Sequence, residues 1–178
     1  PGVTFAATRN RQRSRTSIMI QKPELVDRIL ESLREELTVL KDGAREAYEE
    51  ATHEDNQPED RFDTHSLEAS YRAAGQAKLA VETESAIMRC QNMDLNEFGP
   101  DDPIGVGALV EVKSKNETGF YFLVPIAGGI EVKDGKSTIL VITPQSPLGK
   151  LLVGRKAGEN VQLQTTALPT EFEIVRVH

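Results

Sequence analysis

Glu54-Asp55-Asn56-Gln57-Pro58-Glu59-Asp60-Arg61-Phe62-Asp63 separates two long helical patterns, and its reading decides the fold. Pro58 and the polar residues around it cannot continue a helix. Upstream, Pro23 suits a first helical turn. From there Val26, Leu30, Leu33, Leu37, Leu40, Ala44, Ala47 and Ala51 recur at spacings of 4-3-4-3-4-3-4. That alternation is the apolar seam of a coiled coil. Downstream, Ser66 to Met93 carries a second stripe of Ala69, Ala73, Ala77, Ala80, Ile87 and Cys90. Both stripes narrow to alanine towards the acidic segment. The two runs therefore predict an antiparallel helical hairpin over residues 19–97, with an acidic tip at about 54–65. Tyr48 and Tyr71 are expected to pack across it. Gly43 and Gly75 each weaken an arm, and close approach of the helices is the one reason the sequence offers.

Five of the ten tip residues are acidic. Acids gathered at the end of a rod repel one another and add nothing to the fold, so they ask for a cation, one held by another macromolecule. The bland alternative is a solvated turn. His53, His65 and His178 are too scattered for a chelating set, although the first two flank the tip.

Charge is divided sharply along the chain. Residues 1–18 carry four Arg and no acid, residues 19–103 nine Lys or Arg against 21 Asp or Glu, and residues 104–178 eight against seven. An acidic middle argues against direct duplex contact, which needs Lys and Arg, and favours a basic or metal-bearing partner. The first 18 residues read as a disordered basic arm or an appended remnant, because Met19 would serve as a start. No apolar run reaches the roughly 18 residues of a bilayer span, and the basic N-terminus lacks an apolar signal core. A cytoplasmic location is expected. Cys90 is the one cysteine and sits at helical spacing, so it reads as a small buried hydrophobe.

After Asn96–Pro103 the texture becomes short β-rich runs: Ala108–Val112, Phe120–Pro125, Ser137–Ile142, Val161–Thr165 and Phe172–Val177. Gly128-Gly129 reads as a hairpin turn. Between the third and fourth runs, Ser146 can cap a short helix, with Pro147 at its first position and Gly154 beyond its end. Residues 98–178 thus predict a small antiparallel sheet packed on one short helix, making the whole chain α+β.

The run Ser146-Pro147-Leu148-Gly149-Lys150-Leu151-Leu152-Val153-Gly154-Arg155-Lys156-Ala157-Gly158, with the terminal Glu171 to Val177, resembles the C-terminal domain of the bacterial transcript-cleavage factors GreA and GreB. Leu33 to Lys41 and Tyr71-Arg72-Ala73-Ala74 resemble parts of that family's two helices. The resemblance covers nearly everything from residue 24 onward. It implies an FKBP-like C-terminal domain that binds RNA polymerase, and a hairpin that enters the polymerase's secondary channel near the nascent RNA. It also implies a tip whose carboxylates help hold the polymerase's Mg²⁺ while the polymerase cleaves backtracked transcript. The protein would be a monomer and no enzyme by itself, with no stably bound cofactor.

The family's tip motif is D-x-x-E-N-x-E-Y. Counting forward from Leu33–Lys41 places Asp60 and Asp63 on its metal-binding acids, with Glu59, Glu54 and Asp55 in reserve. Counting back from Tyr71 places Thr64 and Leu67 there, a four-residue discrepancy that implies an inserted helical turn. The motif's Asn and second Glu are not recovered. An Asp for a Glu also shortens the reach by about 1.5 Å. A channel-occupying regulator that inhibits without promoting cleavage, as in anti-cleavage Gre homologues, is the other reading. Docking would fall on Gln145-Ser146-Pro147, where the family commonly has an acid before Ser-Pro. A peptide-binding FKBP-like module is a third reading, disfavoured by the lack of Trp.

Overall fold

Lys22–Thr52 form a 31-residue helix, α1, opened by a proline in its first turn and by Glu24, whose charge suits the helix N-terminus. This computed structural model describes residues 18, 20–53, 65–114, 117–163 and 170–178. At 1.5 Å per residue α1 is about 46 Å long. The second helix, α2, spans His65–Gln91. Arg72 pairs with Glu50, and Lys41 with Glu84 at 2.7 Å, so partners step backwards along α2 as they step forwards along α1. The arms are antiparallel, as the heptads predict.

Every expected seam position of α1 is buried or half-buried. On α2 the seam departs from expectation. Ala69, Ala73, Gln76, Ala80, Thr83, Ile87 and Cys90 turn inward, whereas Ala77 is exposed. Gln76 and Thr83 hold heptad positions at which an apolar count finds nothing. Tyr48 and Tyr71 do not pack across the hairpin: they are 64% and 71% exposed. They lie off a seam whose alanines bring the helices too close to admit a ring.

The C-terminal part is a six-stranded sheet: β1 Leu109–Lys113, β2 Thr118–Leu123, β3 Glu131–Asp134, β4 Ser137–Ile142, β5 Asn160–Leu163 and β6 Thr170–Val177. Its order is β3-β4-β2-β1-β6-β5. The sheet is mixed, not antiparallel, because β2 and β4 run parallel. The difference comes from β3, whose Glu131-Val132-Lys133-Asp134 has one apolar residue and shows no strand period. The chain passes from β2 to the sheet edge, forms β3, and turns at Gly135 (φ +59°) into β4, between β3 and β2. Gly128-Gly129 is a turn in that passage, with Gly129 NH donating to Val141 O, and not a hairpin turn.

Alternate strand residues face opposite sides of the sheet. Leu109, Phe120, Phe122, Val132, Ile139 and Val141 form one core with Leu25, Val26, Ile29, Leu30, Leu33, Ala86 and Cys90 of the helices. Val110, Val112, Leu123, Ile142 and Ile174 form a second core with Leu152. Leu152 belongs to the short helix α3, Pro147–Leu152. The base of the hairpin covers one face and α3 the other, an α+β arrangement.

Candidate functional site: an acidic-tipped rod and a capped loop

Asp60 and Asp63, with the reserves Glu54, Asp55 and Glu59, lie outside the described residues. What the structure describes is their mounting. α1 ends at Thr52 and α2 starts at His65, so the acidic segment leaves and rejoins the two arms at the end far from the sheet. The base of the rod is embedded in the first core, where Leu25 and Ile29 are fully buried. Two polar ties reinforce it. Arg28 Nη1 donates to Lys133 O at 2.7 Å, and Ile20 NH donates to Asp134 Oδ2 at 3.1 Å.

Lys22 closes the start of α1 against the segment that follows α2. Its Nζ donates to Asn96 O at 2.5 Å and stands 4.8 Å from the centre of the Phe98 ring. Burial lowers the pKa of this amine, and nearby Glu97 partly opposes the shift. No sequence pattern distinguished Lys22 from a solvated lysine. Cys90 is buried, as expected, and desolvation raises its thiol pKa.

The loop before α3 is held rigidly. Ser146 Oγ accepts from Gly149 NH at 3.1 Å and donates to Thr143 O at 2.8 Å. A Cβ on Gly149 would lie 1.9 Å from Thr143 O, so only glycine fits. Gly154, at φ +79°, follows the helix and donates its NH to Ile104 O at 2.8 Å. Ser146 is therefore committed to the cap, while Gln145 and Pro147 are exposed beside it. This loop lies with the second core, across the sheet from the rod. Among the described residues, no group of three or more His, Cys, Asp or Glu could hold a metal ion.

Comparison with known proteins places this architecture. Residues 99–178 match the model for "Transcription elongation factor, GreA/GreB, C-term". Transcription elongation factor GreA of Amoebophilus asiaticus is 31% identical over 154 residues, covering 83% of this chain and 92% of that protein. The chain belongs to the GreA/GreB transcription elongation factor family. GreA of Methylococcus capsulatus is 27% identical over 161 residues, 89% of this chain and 98% of the relative. The transcription inhibitor protein Gfh1 of Thermus aquaticus is 28% identical over 138 residues, 75% and 85% of the two chains. Within this GreA/GreB-family chain the matched region holds both the sheet and the capped loop, so the family signal and the rigid loop coincide.

Proposed function

We propose that this chain is a Gre-like elongation factor that binds RNA polymerase in its secondary channel and stimulates cleavage of backtracked RNA. The observation that carries the reading is the rod. A two-helix stalk about 46 Å long is rooted in the core of a folded sheet, and an acidic segment joins its arms at the far end. Gln145 and Pro147 are the exposed residues through which the other face of the sheet would dock, while the hairpin would approach the nascent RNA in the channel.

Carboxylates are hard oxygen donors, and one or two of them commonly complete a Mg²⁺ site that also holds waters and phosphates. Asp60 and Asp63 would be those donors, with Glu54, Asp55 and Glu59 as alternates. The bound ion would activate water or stabilise a leaving oxygen in phosphodiester hydrolysis. Catalysis stays with the polymerase, and this chain acts as a monomer that delivers charge. No described helix is long and apolar enough to cross a membrane, which is compatible with action in the cytoplasm.

A second reading is favoured by the likeness to an inhibitor across most of the chain. In it the rod occupies the channel and slows synthesis without cleavage. Co-purification with bacterial core polymerase tests the docking common to both readings. Loss of binding in Gln145→Arg with Pro147→Arg, with melting temperature unchanged, supports the loop as the contact. Retained binding excludes it.

A further inference from the structure

One level of the rod is built unlike the rest. A Cβ on Gly43 would lie 2.7 Å from Gln76 Oε1 and 2.8 Å from its Nε2, so the carboxamide fills the space a side chain would take. Gln76 Oε1 is buried there without a hydrogen-bond partner. Such a carbonyl opposes closure of the seam, because opening returns it to water. Beside it, nothing lies within 4 Å of a Cβ built on Gly75, so packing places no demand for glycine at this exposed position. Its effect is to weaken the helix.

The seam also changes character across this level. On the sheet side Leu33, Leu37 and Leu40 face Ala80, Thr83 and Ile87, and on the tip side Ala44, Ala47 and Ala51 face Ala69 and Ala73. Alanine removes far less apolar surface from water than leucine does. A groove of about 540 Å³ runs along the tip side, lined by Ala44, Tyr48, Ala51, Ser70, Ala73 and Ala77. The Arg72–Glu50 pair bridges the arms here, but its side chains are substantially exposed and such pairs contribute little.

We propose that the hairpin is jointed at Gly43–Gln76. The base is a stiff stalk fused to the sheet, and residues 44–52 and 65–75 open and bend together as a separate cooperative segment. Such a joint lets the tip adjust its position while the base stays fixed. It is a property of the free protein and stands or falls without any polymerase.

Hydrogen exchange of the full chain, resolved along both arms, tests it. Amides of 44–51 and 66–75 are expected to exchange at least tenfold faster than those of 26–40 and 79–90, with a step at residues 43 and 76. Gly75→Ala should slow exchange in the outer segment about fivefold and leave the base unchanged. Gln76→Leu, which removes the unpaired carbonyl, should do likewise. A profile that declines smoothly to the tip without a step overturns the joint. So does either variant slowing base and tip equally, or neither variant slowing the tip.

Discussion

Arg28 donates a 2.7 Å hydrogen bond to the carbonyl of Lys133, 105 residues away, and so ties the first turns of the rod to the edge strand of the sheet. Asp134 repeats the tie one residue on, accepting from Ile20 NH. The edge strand thus serves as the clamp for the hairpin. Core and clamp coincide at the root of the rod.

The apolar part of that root dominates its energy. Ile29 is fully buried between helix and sheet, so Ile29→Ala should cost about 2–5 kcal/mol. Arg28→Ala, which removes the exposed contact to Lys133 O, should cost about 0.5–1.5 kcal/mol. Urea unfolding of both variants checks the ranking, and equal losses would mean that the polar clamp carries more than its exposure implies.

Gly149 should be the least replaceable residue around the Ser146 cap. Gly149→Ala drives a methyl into the Thr143 carbonyl and should cost about 2–3 kcal/mol, a melting shift of roughly 5–10 °C for a chain of this size. Ser146→Ala loses the cap alone, about 1 kcal/mol. Thermal melts of the two variants measure the difference.

Gly43 and Gln76 should be energetically coupled. Gly43→Ala pushes aside only the flexible end of Gln76, so its net gain in stability should fall short of the roughly 1 kcal/mol by which alanine exceeds glycine in a helix. In a Gln76→Ala background the same change should give that gain in full, because alanine is the better helix former. A double-mutant cycle by chemical denaturation reads the coupling directly.

Acid should weaken the fold partly through His178. Its pKa is lowered by burial first and by Arg176 next, against a raising effect of Glu111. Just below its ordinary value of about 6.5, the unfolded chain therefore holds a proton that the folded chain lacks. Stability accordingly rises with pH through that window and is lost on acidification. Denaturation midpoints followed from about pH 5 to 7.5 should show a shallower slope in His178→Gln.

Much of this architecture was legible from residue order, because heptads and caps are local signals. The α1 seam, the Ser146 cap and Gly154 needed only the 3.6-residue period and hydrogen-bond chemistry. The parts not legible depend on partners distant in sequence. β3 owes its existence to β4 and to α1, and its four residues show no period of their own. Gln76 belongs to the seam because Gly43 leaves room for it. Leu25 and Ile29 are buried because the sheet lies beneath them, beyond what a two-helix seam requires. For the site, the capped loop was visible in Ser146-Pro147. Asp60 and Asp63 rest on a motif count, since they lie outside the described residues.

Stalled elongation complexes with backtracked RNA test the central claim most directly. Adding this chain should shorten the transcript from its 3′ end. The double substitution Asp60→Asn with Asp63→Asn should abolish that shortening while leaving co-purification with polymerase intact. Transcripts of unchanged length with the unsubstituted chain, accompanied by slowed synthesis, would contradict cleavage and leave an inhibitor. Cleavage undiminished by the double substitution would remove these two acids from the mechanism.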